Sequence, residues 1–429
     1  MTVPEVLPAS KTPAFWPAQP DALADLDISP TLVQDLFVRT VREQGQSSLG
    51  SLRERLKLPH MVLEPVFRQL RQQAYLDVKG MQGNDYHFGL TAAGKALAAE
   101  RASICAYAGP APVSLVAYDR AVRVQAARVR VSRDSLRQAL GDLVLPENLL
   151  DQLGPALISQ KALFLYGPTG NGKTSLAERL LRVYEDAVLI PYALEMSGYV
   201  ITLFDPVLHR PLAEQPDDLD ARWVLCHRPS VAAGGELVSE MLELRSDASS
   251  GIYSAPLQMK ANNGILVIDD FGRQRLAPRD LLNRWIVPLD RRVDYLTLSS
   301  GMKFQVPFEM MVVFSTNLDP HDLADEAFLR RIQTKVMVDN VSPEIFEEIF
   351  RRVMQSNQVP TEPGCAEYLR EHCEQYVAKV LRACYPMDVY RLVKAISEYE
   401  GRPVRMTRAN IDRAVALYFA APQASSAKD

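Results

Sequence analysis

The chain has 429 residues, of which 47% are hydrophobic and 23% charged, and its formal net charge is −4. This is an ordinary globular composition with room for roughly two or three domains. The negative charge disfavours a general nucleic-acid coat but allows a local basic face. No apolar run reaches the length of about 18 residues that a membrane span needs, and prolines interrupt the N-terminal stretch where a signal peptide would be apolar. We therefore expect a soluble cytoplasmic protein without membrane insertion.

The N-terminal quarter contains an irregular arm followed by a patterned segment. Residues 1–27 are rich in proline, alanine and aspartate and show no period, which predicts a flexible arm. In residues 28–103, apolar side chains recur first at helical spacing and then in alternation around two glycines. The side chains that carry this pattern are Val33, Leu36, Phe37, Thr40, Leu49, Leu52, Leu56, Leu63, Val66, Phe67, Leu70, Leu76, Val78, Tyr86, Phe88 and Leu90. Three helices followed by a β-hairpin is the order of a winged helix, which this segment resembles in layout.

The next segment, residues 104–135, is expected to be a linker. Its basic residues are Arg120, Arg123, Arg128, Arg130 and Arg133. A run of this kind is either a solvated face or a binding patch, and the sequence leaves both interpretations open.

The remaining sequence changes from mixed to purely helical patterning. Residues 136–340 alternate apolar strands with helices, which predicts an α/β domain with a parallel sheet. Within it, residues 190–262 are longer than a simple crossover between strands needs. Residues 341–420 are patterned as helices, and residues 421–429 are expected to be a disordered tail.

The stretch GPTGNGKTS, residues 167–175, follows an apolar run that predicts a buried strand. Its glycines let successive N–H groups converge on the β- and γ-phosphates of a nucleotide, at the start of the next helix. In this pattern Lys173 supplies a positive charge to the phosphates and Thr174 a hydroxyl to Mg²⁺. The predicted nucleotide-binding residues are Gly167, Pro168, Thr169, Gly170, Asn171, Gly172, Lys173, Thr174, Ser175 and Asp269. The alternative, an ordinary glycine turn, leaves the lysine unexplained.

A second apolar strand, residues 265–268, ends in two carboxylates. Ligands of α/β proteins lie beyond the carboxyl ends of the strands, so we expect Asp269 to hold Mg²⁺ together with Thr174. Asp270 is expected to polarise the attacking water, although many ATP hydrolases have the longer glutamate there. A displacement of about 1 Å at such a position can change a rate by orders of magnitude. A helix cap is the alternative role for an aspartate pair at a strand end.

Two further polar signals follow in the chain. Asn317 comes directly after an apolar strand, where its amide can bond to the γ-phosphate or to the attacking water; the alternative is a turn-forming asparagine. Arg330 and Arg331 follow a short predicted helix. A surface ion pair is the ordinary role of paired arginines. In this order of motifs the pair indicates an arginine finger, which neutralises charge on the transferred phosphoryl group in a neighbouring subunit.

Residues 136–420 resemble an AAA+ ATPase, because the motifs of that family occur here in the family's order. The resemblance matches Lys173 and Thr174 to Walker A, Asp269 and Asp270 to Walker B, Asn317 to sensor 1, and Arg330 or Arg331 to the finger. The amino-acid sequence around Asp269 is similar to that of MoxR-type ATPases and of bacterial enhancer-binding activators. LADEAFLRRI, residues 323–332, is similar to the remodelling branch of the family.

The resemblance implies a P-loop α/β core with a C-terminal helical lid, the cofactors ATP and Mg²⁺, and a homo-oligomeric ring that is usually hexameric. Many family members carry an arginine in the lid at the place where Met387 stands here. Arg382 and Arg391 lie in the adjacent turns as substitutes. The missing lid arginine and the short Asp270 lead us to expect slow, partner-stimulated turnover.

The winged-helix-like segment is compatible with two kinds of partner. Its third helix has polar side chains that suit phosphates and base edges, and the hairpin adds a lysine. These residues are Arg68, Gln69, Arg71, Gln72, Gln73 and Lys79. Residues 28–103 contain ten lysines and arginines against seven acidic residues, a surplus of three that is small for a DNA reader. Protein docking and DNA binding therefore both stay open.

The leading hypothesis is an ATPase that remodels or assembles a protein, or a protein–DNA complex, as an oligomeric ring. One alternative is a DNA-binding regulator that uses the winged helix and whose assembly is switched by ATP. Another is a nucleotide-gated scaffold with negligible turnover.

Overall fold

A computed structural model describes residues 14–83, 85–126, 131–323, 326–376 and 380–419. The chain divides into two compact units. Unit 1 consists of Met1–Arg128, Tyr184–Ile268 and Arg273–Val312. Unit 2 consists of Val129–Val183, Asp269–Gly272 and Val313–Asp429. Among the described residues, no helix has both the length and the apolar character that crossing a membrane requires.

The described residues form the following regular elements. The helices are α1 (Pro30–Gln44), α2 (Leu49–Leu56), α3 (His60–Gln72), α4 (Ala92–Ile104), α5 (Leu115–Val124), α6 (Arg133–Ala139), α7 (Glu147–Ser159), α8 (Lys173–Leu180), α9 (Leu257–Lys260), α10 (Pro278–Arg284), α11 (Ile286–Arg291), α12 (Pro320–Leu323), α13 (Glu326–Leu329), α14 (Pro343–Ser356), α15 (Cys365–Tyr376), α16 (Tyr385–Tyr399) and α17 (Arg408–Tyr418). The strands are β1 (Gln46–Ser48), β2 (Leu76–Gln82), β3 (Asp85–Leu90), β4 (Val113–Ser114), β5 (Leu163–Tyr166), β6 (Ala187–Pro191), β7 (Ala193–Met196), β8 (Tyr199–Thr202), β9 (Trp223–His227), β10 (Ser230–Ala233), β11 (Arg245–Asp247), β12 (Ile252–Ser254), β13 (Ile265–Ile268), β14 (Val293–Thr297), β15 (Lys303–Pro307), β16 (Met311–Thr316) and β17 (Thr334–Met337).

The N-terminal part of unit 1 has the element order that the sequence pattern predicts for residues 28–103. Helices α1, α2 and α3 precede the β2–β3 hairpin, and α4 follows it. Strand β1 extends the hairpin to a sheet of order β1-β3-β2. Helix α1 starts after Ser29, whose hydroxyl accepts a hydrogen bond from the Thr31 N–H. The apolar faces of the three helices meet in one core, where Phe37 stacks on Phe88 with ring centroids 5.8 Å apart.

The remainder of unit 1 is rich in strands. Five of them form a sheet in the order β11-β12-β8-β7-β4. Two further pairs are antiparallel, β6 with β9 and β14 with β15. Strand β10 pairs in parallel with β13. Residues 104–135, which we expected to be a linker, contain β4 and α5, because Tyr118, Ala121 and Val122 lie at helical spacing and are buried in this core. Phe15, in the expected flexible arm, packs on Trp223 with ring centroids 5.1 Å apart.

A buried arginine connects three segments of unit 1. Arg222 donates hydrogen bonds to both carboxylate oxygens of Asp220, to Asp27 at 3.0 Å and to the Pro112 carbonyl at 3.2 Å. Burial raises the pKa of Asp27, but hydrogen bonds from Ser114 and the charge of Arg222 outweigh it and hold this pKa below its ordinary value. The segments before α1, β4 and β9 are therefore held together by charge as well as by apolar packing.

Unit 2 combines parallel strands with helices. Strand β5 lies between β16 and β17 and runs parallel to both. Phe164 of β5 stacks against Phe314 of β16 at 5.4 Å between ring centroids. Helices α14 to α17 pack around their own apolar core, and α14 begins at Pro343 after the cap Ser342. The predictions of an α/β fold with a parallel sheet and of a helical C-terminal region are confirmed.

Candidate functional site

The loop 167–172 connects the end of β5 to the start of α8, as the sequence predicts. The loop contains three glycines with positive φ angles, 129° at Gly167, 81° at Gly170 and 82° at Gly172. Residues other than glycine rarely adopt such backbone angles. A Cβ atom on Gly167 would lie 2.5 Å from the Val338 carbonyl oxygen. Glycine is therefore required at this position by both the backbone angle and the available space, and the loop folds tightly over the start of α8.

Lys173 lies inside this loop. Its side chain is 8% exposed, and its Nζ donates hydrogen bonds to the carbonyl oxygens of Gly167 at 2.8 Å and Pro168 at 2.9 Å. Burial lowers the pKa of Lys173, while the charges of Asp269 and Asp270 act in the opposite direction. The ammonium group is thus a buried cation whose two hydrogen-bond partners are neutral carbonyls. The charged oxygens of a phosphate are stronger acceptors than these two carbonyls.

Thr174 and Asp269 are brought into direct contact. The Thr174 hydroxyl donates to the Asp269 carboxylate, with its Oγ1 3.0 Å from Oδ1 and 2.8 Å from Oδ2. A hydroxyl and a carboxylate are hard oxygen ligands, and Mg²⁺ is usually bound by one or two such groups together with phosphates and water. The donor set at this point therefore fits a magnesium ion that is shared with a nucleotide.

The next residue in the chain, Asp270, has an unusual backbone conformation. Its φ is 48°, in the left-handed region, and its side chain is exposed. Aspartate and asparagine adopt this conformation several times more often than other residues with a side chain. The next residue fixes the neighbouring strand end, since the Phe271 N–H donates to the Ser315 carbonyl at 2.7 Å and the Thr316 hydroxyl donates to the Phe271 carbonyl at 2.7 Å. The backbone next to Asp270 is therefore hydrogen-bonded to the backbone and side chain of the residues that precede Asn317.

Asn317 directly follows β16, at the end of the strand where the sequence predicts it. Its side-chain oxygen is buried, and within the described part of the chain it has no hydrogen-bond partner. Buried acceptors are usually paired, and leaving one unpaired costs about 1–3 kcal/mol. The amide oxygen is therefore able to accept a hydrogen bond from a ligand or a water molecule.

The two predicted arginines differ in exposure. Arg330 follows α13, is exposed, and lines an open cavity of about 580 Å³ with His321, Glu326 and Lys335. Arg331 is half-buried. Among the described residues, no hydrogen bond or ion pair links Arg330 to Lys173 or Asp269. The structure thus brings together the loop, Thr174 and Asp269, while Arg330 has no hydrogen bond to them within the described residues.

Several contacts between the loop and the C-terminal helical region were not predicted from the sequence. Asn171 is 7% exposed, and both ends of its amide are used. Its Nδ2 donates to Asn340 Oδ1 at 3.1 Å, and its Oδ1 accepts from the Ala383 N–H at 3.1 Å. The Cys384 N–H also donates to the Gly170 carbonyl at 2.9 Å. No sequence pattern identifies these partners, because the contacts depend on how the C-terminal helices pack.

The arginines near Met387 differ in position. The Cδ atom of Arg382 lies 3.3 Å from the point that a Cβ on Gly170 would occupy. The Arg382 Nε is buried and has no hydrogen-bond partner among the described residues. Arg391 is 72% exposed, and its closest charged partner is Asp388 at 3.7 Å. Met387 packs against the apolar core of the C-terminal helices.

A cavity of about 260 Å³ adjoins the loop at Asn171. Its lining includes the apolar side chains of Leu145, Leu149 and Ile345 and the amide of Gln152. Flat apolar walls with a few amide groups suit a heterocyclic base. Residues 144–152 contain no recognisable motif, so this part of the site was not predicted.

Comparisons with known proteins yield likenesses of limited extent. The family model described as "Domain of unknown function (DUF8689)" matches residues 342–417. No curated protein matches the chain. A solved structure titled "Thermotoga maritima RuvB Holliday junction branch migration motor" is 14% identical and has a TM-score of 0.35, with 68% of this chain and 72% of that chain covered. NtrX from Brucella abortus is 13% identical and has a TM-score of 0.42, with 65% of this chain and 56% of that chain covered. Likenesses at these TM-scores carry no argument about function, and the chain's own geometry supports a nucleotide site built on parallel strands.

Proposed function

We propose that the chain binds ATP with Mg²⁺ at the loop 167–175 and hydrolyses it, as an AAA+ ATPase does. The observation that carries this proposal is the contact between Thr174 and Asp269 beside the buried amine of Lys173. Three groups that arise from distant parts of the sequence meet there. Together they provide a cation for phosphate oxygens and a hydroxyl–carboxylate pair for a metal ion.

Each residue has a separate role in this proposal. Lys173 binds the phosphates, and Mg²⁺ held by Thr174 and Asp269 would neutralise the charge that develops on the transferred phosphoryl group. Asp270 accepts a proton from the attacking water, and Asn317 orients that water through its unpaired oxygen. The exposed Asp270 carboxylate is not desolvated, so we expect slow basal turnover.

The arginine finger is assigned to Arg330 in a homo-oligomer. Its exposure and its lack of a link to the loop support a role in the site of a neighbouring subunit rather than in its own. Arg331 is half-buried and is the less suitable of the two.

The winged-helix-like segment is proposed to dock a protein. Two of its candidate DNA-contacting cations already have acidic partners, because Arg68 pairs with Glu64 and Lys79 with Asp77. Met61 on α3 and Met81 on the hairpin are 64% and 58% exposed, which suits an apolar protein surface. A DNA affinity of the full chain that falls steeply with salt would favour the DNA-binding regulator instead.

The proposal is tested by equilibrium binding of Mg-ATP to the full chain. Lys173→Ala removes the cation of the phosphate site, and we expect its affinity for Mg-ATP to fall about a hundredfold. The matched control is Lys161→Ala, since Lys161 is exposed and its amine donates to the exposed Gln333 at 3.2 Å. Equal affinities for the wild type and both variants would contradict a nucleotide site at this loop.

A further inference from the structure

The phosphate-binding loop is hydrogen-bonded to the turn 382–384, which precedes α16. Two backbone N–H groups of the turn donate to the loop, Ala383 to the Asn171 side chain at 3.1 Å and Cys384 to the Gly170 carbonyl at 2.9 Å. Both acceptors belong to residues of the loop 167–172. The turn is therefore attached to the loop itself rather than to the surrounding helices alone.

Asn171 is the residue that makes this attachment specific. Its amide accepts from Ala383 and donates to Asn340 Oδ1 at 3.1 Å, so both of its functional ends have partners. Because the side chain is 7% exposed, little water is available to replace either bond. No other type of side chain of this length offers a donor and an acceptor in the same plane.

The attachment determines where one arginine lies. Arg382 begins the turn, and its Cδ lies 3.3 Å from the position that a Cβ on Gly170 would occupy, so the side chain runs beside the loop. Its Nε is buried without a hydrogen-bond partner in the described residues. A buried guanidinium nitrogen without a partner is unfavourable, and a phosphate oxygen is the acceptor that best fits it.

We propose that Asn171 is a positioning residue that holds the turn 382–384 on the loop and thereby keeps Arg382 in reach of the phosphates of the bound nucleotide. The inference rests on the proposed function, since it requires a nucleotide at this loop. Arg391 does not fit the role because it points to solvent beside Asp388. Met387 offers no donor.

The test is a double-mutant cycle on Mg-ATP affinity in the full chain. Arg382→Ala and Asn171→Ala are each expected to weaken binding about tenfold, the size of one charge-assisted hydrogen bond. If Asn171 acts through Arg382, the double variant binds about as weakly as Arg382→Ala alone. Arg382→Lys keeps the charge and is expected to recover part of the affinity. If Asn171→Ala does not fold, Asn340→Ala replaces it in the cycle, because this change removes only the hydrogen bond between Asn171 and Asn340.

The control is Asn357→Ala, because the Asn357 amide donates to Val353 at the end of its own helix. The melting temperature supplies a second readout. Arg382→Ala is expected to leave the melting temperature of the nucleotide-free chain unchanged and to reduce the rise that ATP causes. A purely structural role would instead lower the melting temperature without nucleotide.

The outcomes separate this inference from the proposed function. Wild-type ATP affinity in Lys173→Ala would contradict the proposed function. Loss of binding in Lys173→Ala together with wild-type affinity in Arg382→Ala would leave that function standing and overturn this inference. Losses that multiply to about a hundredfold in the double variant would show that Asn171 acts independently of Arg382, which also overturns it.

Discussion

At the scale of single residues, the glycines of the loop show different constraints. Gly167 has both a positive φ of 129° and a backbone oxygen 2.5 Å from where its Cβ would be. Gly172 has a positive φ of 82° but open space around that point. The two positions therefore separate backbone strain from steric exclusion.

This difference leads to a paired prediction. We expect Gly172→Ala to cost about 1–2 kcal/mol of stability, the penalty of a left-handed backbone. Gly167→Ala is expected to cost more and to weaken Mg-ATP binding, because the loop must also shift away from Val338. Urea unfolding and equilibrium binding of both variants measure these effects. A Gly167→Ala variant as stable as Gly172→Ala would contradict the close approach.

Some site residues could be predicted from the sequence and others could not. Lys173, Thr174 and Asp269 follow strands, and a strand end is recognised from a short apolar run. Their meeting follows because parallel strands deliver their carboxyl ends to one edge. The contact of Asn171 with Asn340 joins segments about 170 positions apart without any pattern in either. Such a contact is decided by tertiary packing alone.

At the scale of elements, periodic segments were predicted well and short strands were not. The faces of α1 to α3 were identified because each helix repeats its apolar spacing over several turns. The strands between β6 and β12 are three to five residues long, which is too short for a period to show. Tyr192, Tyr199 and Phe204 in that region pack against the core of unit 1.

The contact between Asp27 and Arg222 holds several elements of unit 1 together and gives a pH-dependent prediction. The folded-state pKa of Asp27 is lowered, so its contribution to stability is present above the ordinary value of 3.8 and is lost as the pH falls through the folded-state pKa. We expect Asp27→Asn to cost about 1 kcal/mol of unfolding free energy at pH 7 and less at pH 3, where the carboxylate begins to be protonated.

Urea unfolding at the two pH values measures this difference. Asp217→Asn is the control, because Asp217 is exposed and should change little at either pH. The same loss in Asp27→Asn at pH 7 and at pH 3 would show that the carboxylate charge is not involved.

At the scale of the whole molecule, the predicted site residues all belong to unit 2. Thr174 of the loop is hydrogen-bonded there to Asp269, and Phe271, next to Asp270, is hydrogen-bonded to Thr316, next to Asn317. Arg330 is in the same unit without a link to them among the described residues. A site whose finger comes from another copy of the chain would explain why an otherwise well-assembled constellation leaves this arginine exposed.

Mixing variants tests this arrangement. Arg330→Ala and Asp270→Asn are each expected to lose turnover, one for lack of the finger and the other for lack of the carboxylate. In a mixed oligomer, an intact Asp270 in one subunit can face an intact Arg330 in the next, so activity should partly return. Arg331→Ala is the comparison and is expected to reduce turnover less. Activity of the mixture equal to the sum of the separate variants would contradict a finger that acts between subunits.

The most direct test of the central claim is steady-state phosphate release from Mg-ATP by the full chain and by Asp270→Asn. Asparagine adopts the left-handed backbone as readily as aspartate, so the exchange removes the charge without straining the loop. We predict slow turnover by the wild type and a loss of at least about a hundredfold in the variant, with ATP affinity unchanged. Equal phosphate release by the two proteins, or none by the wild type, would contradict ATP hydrolysis at this site.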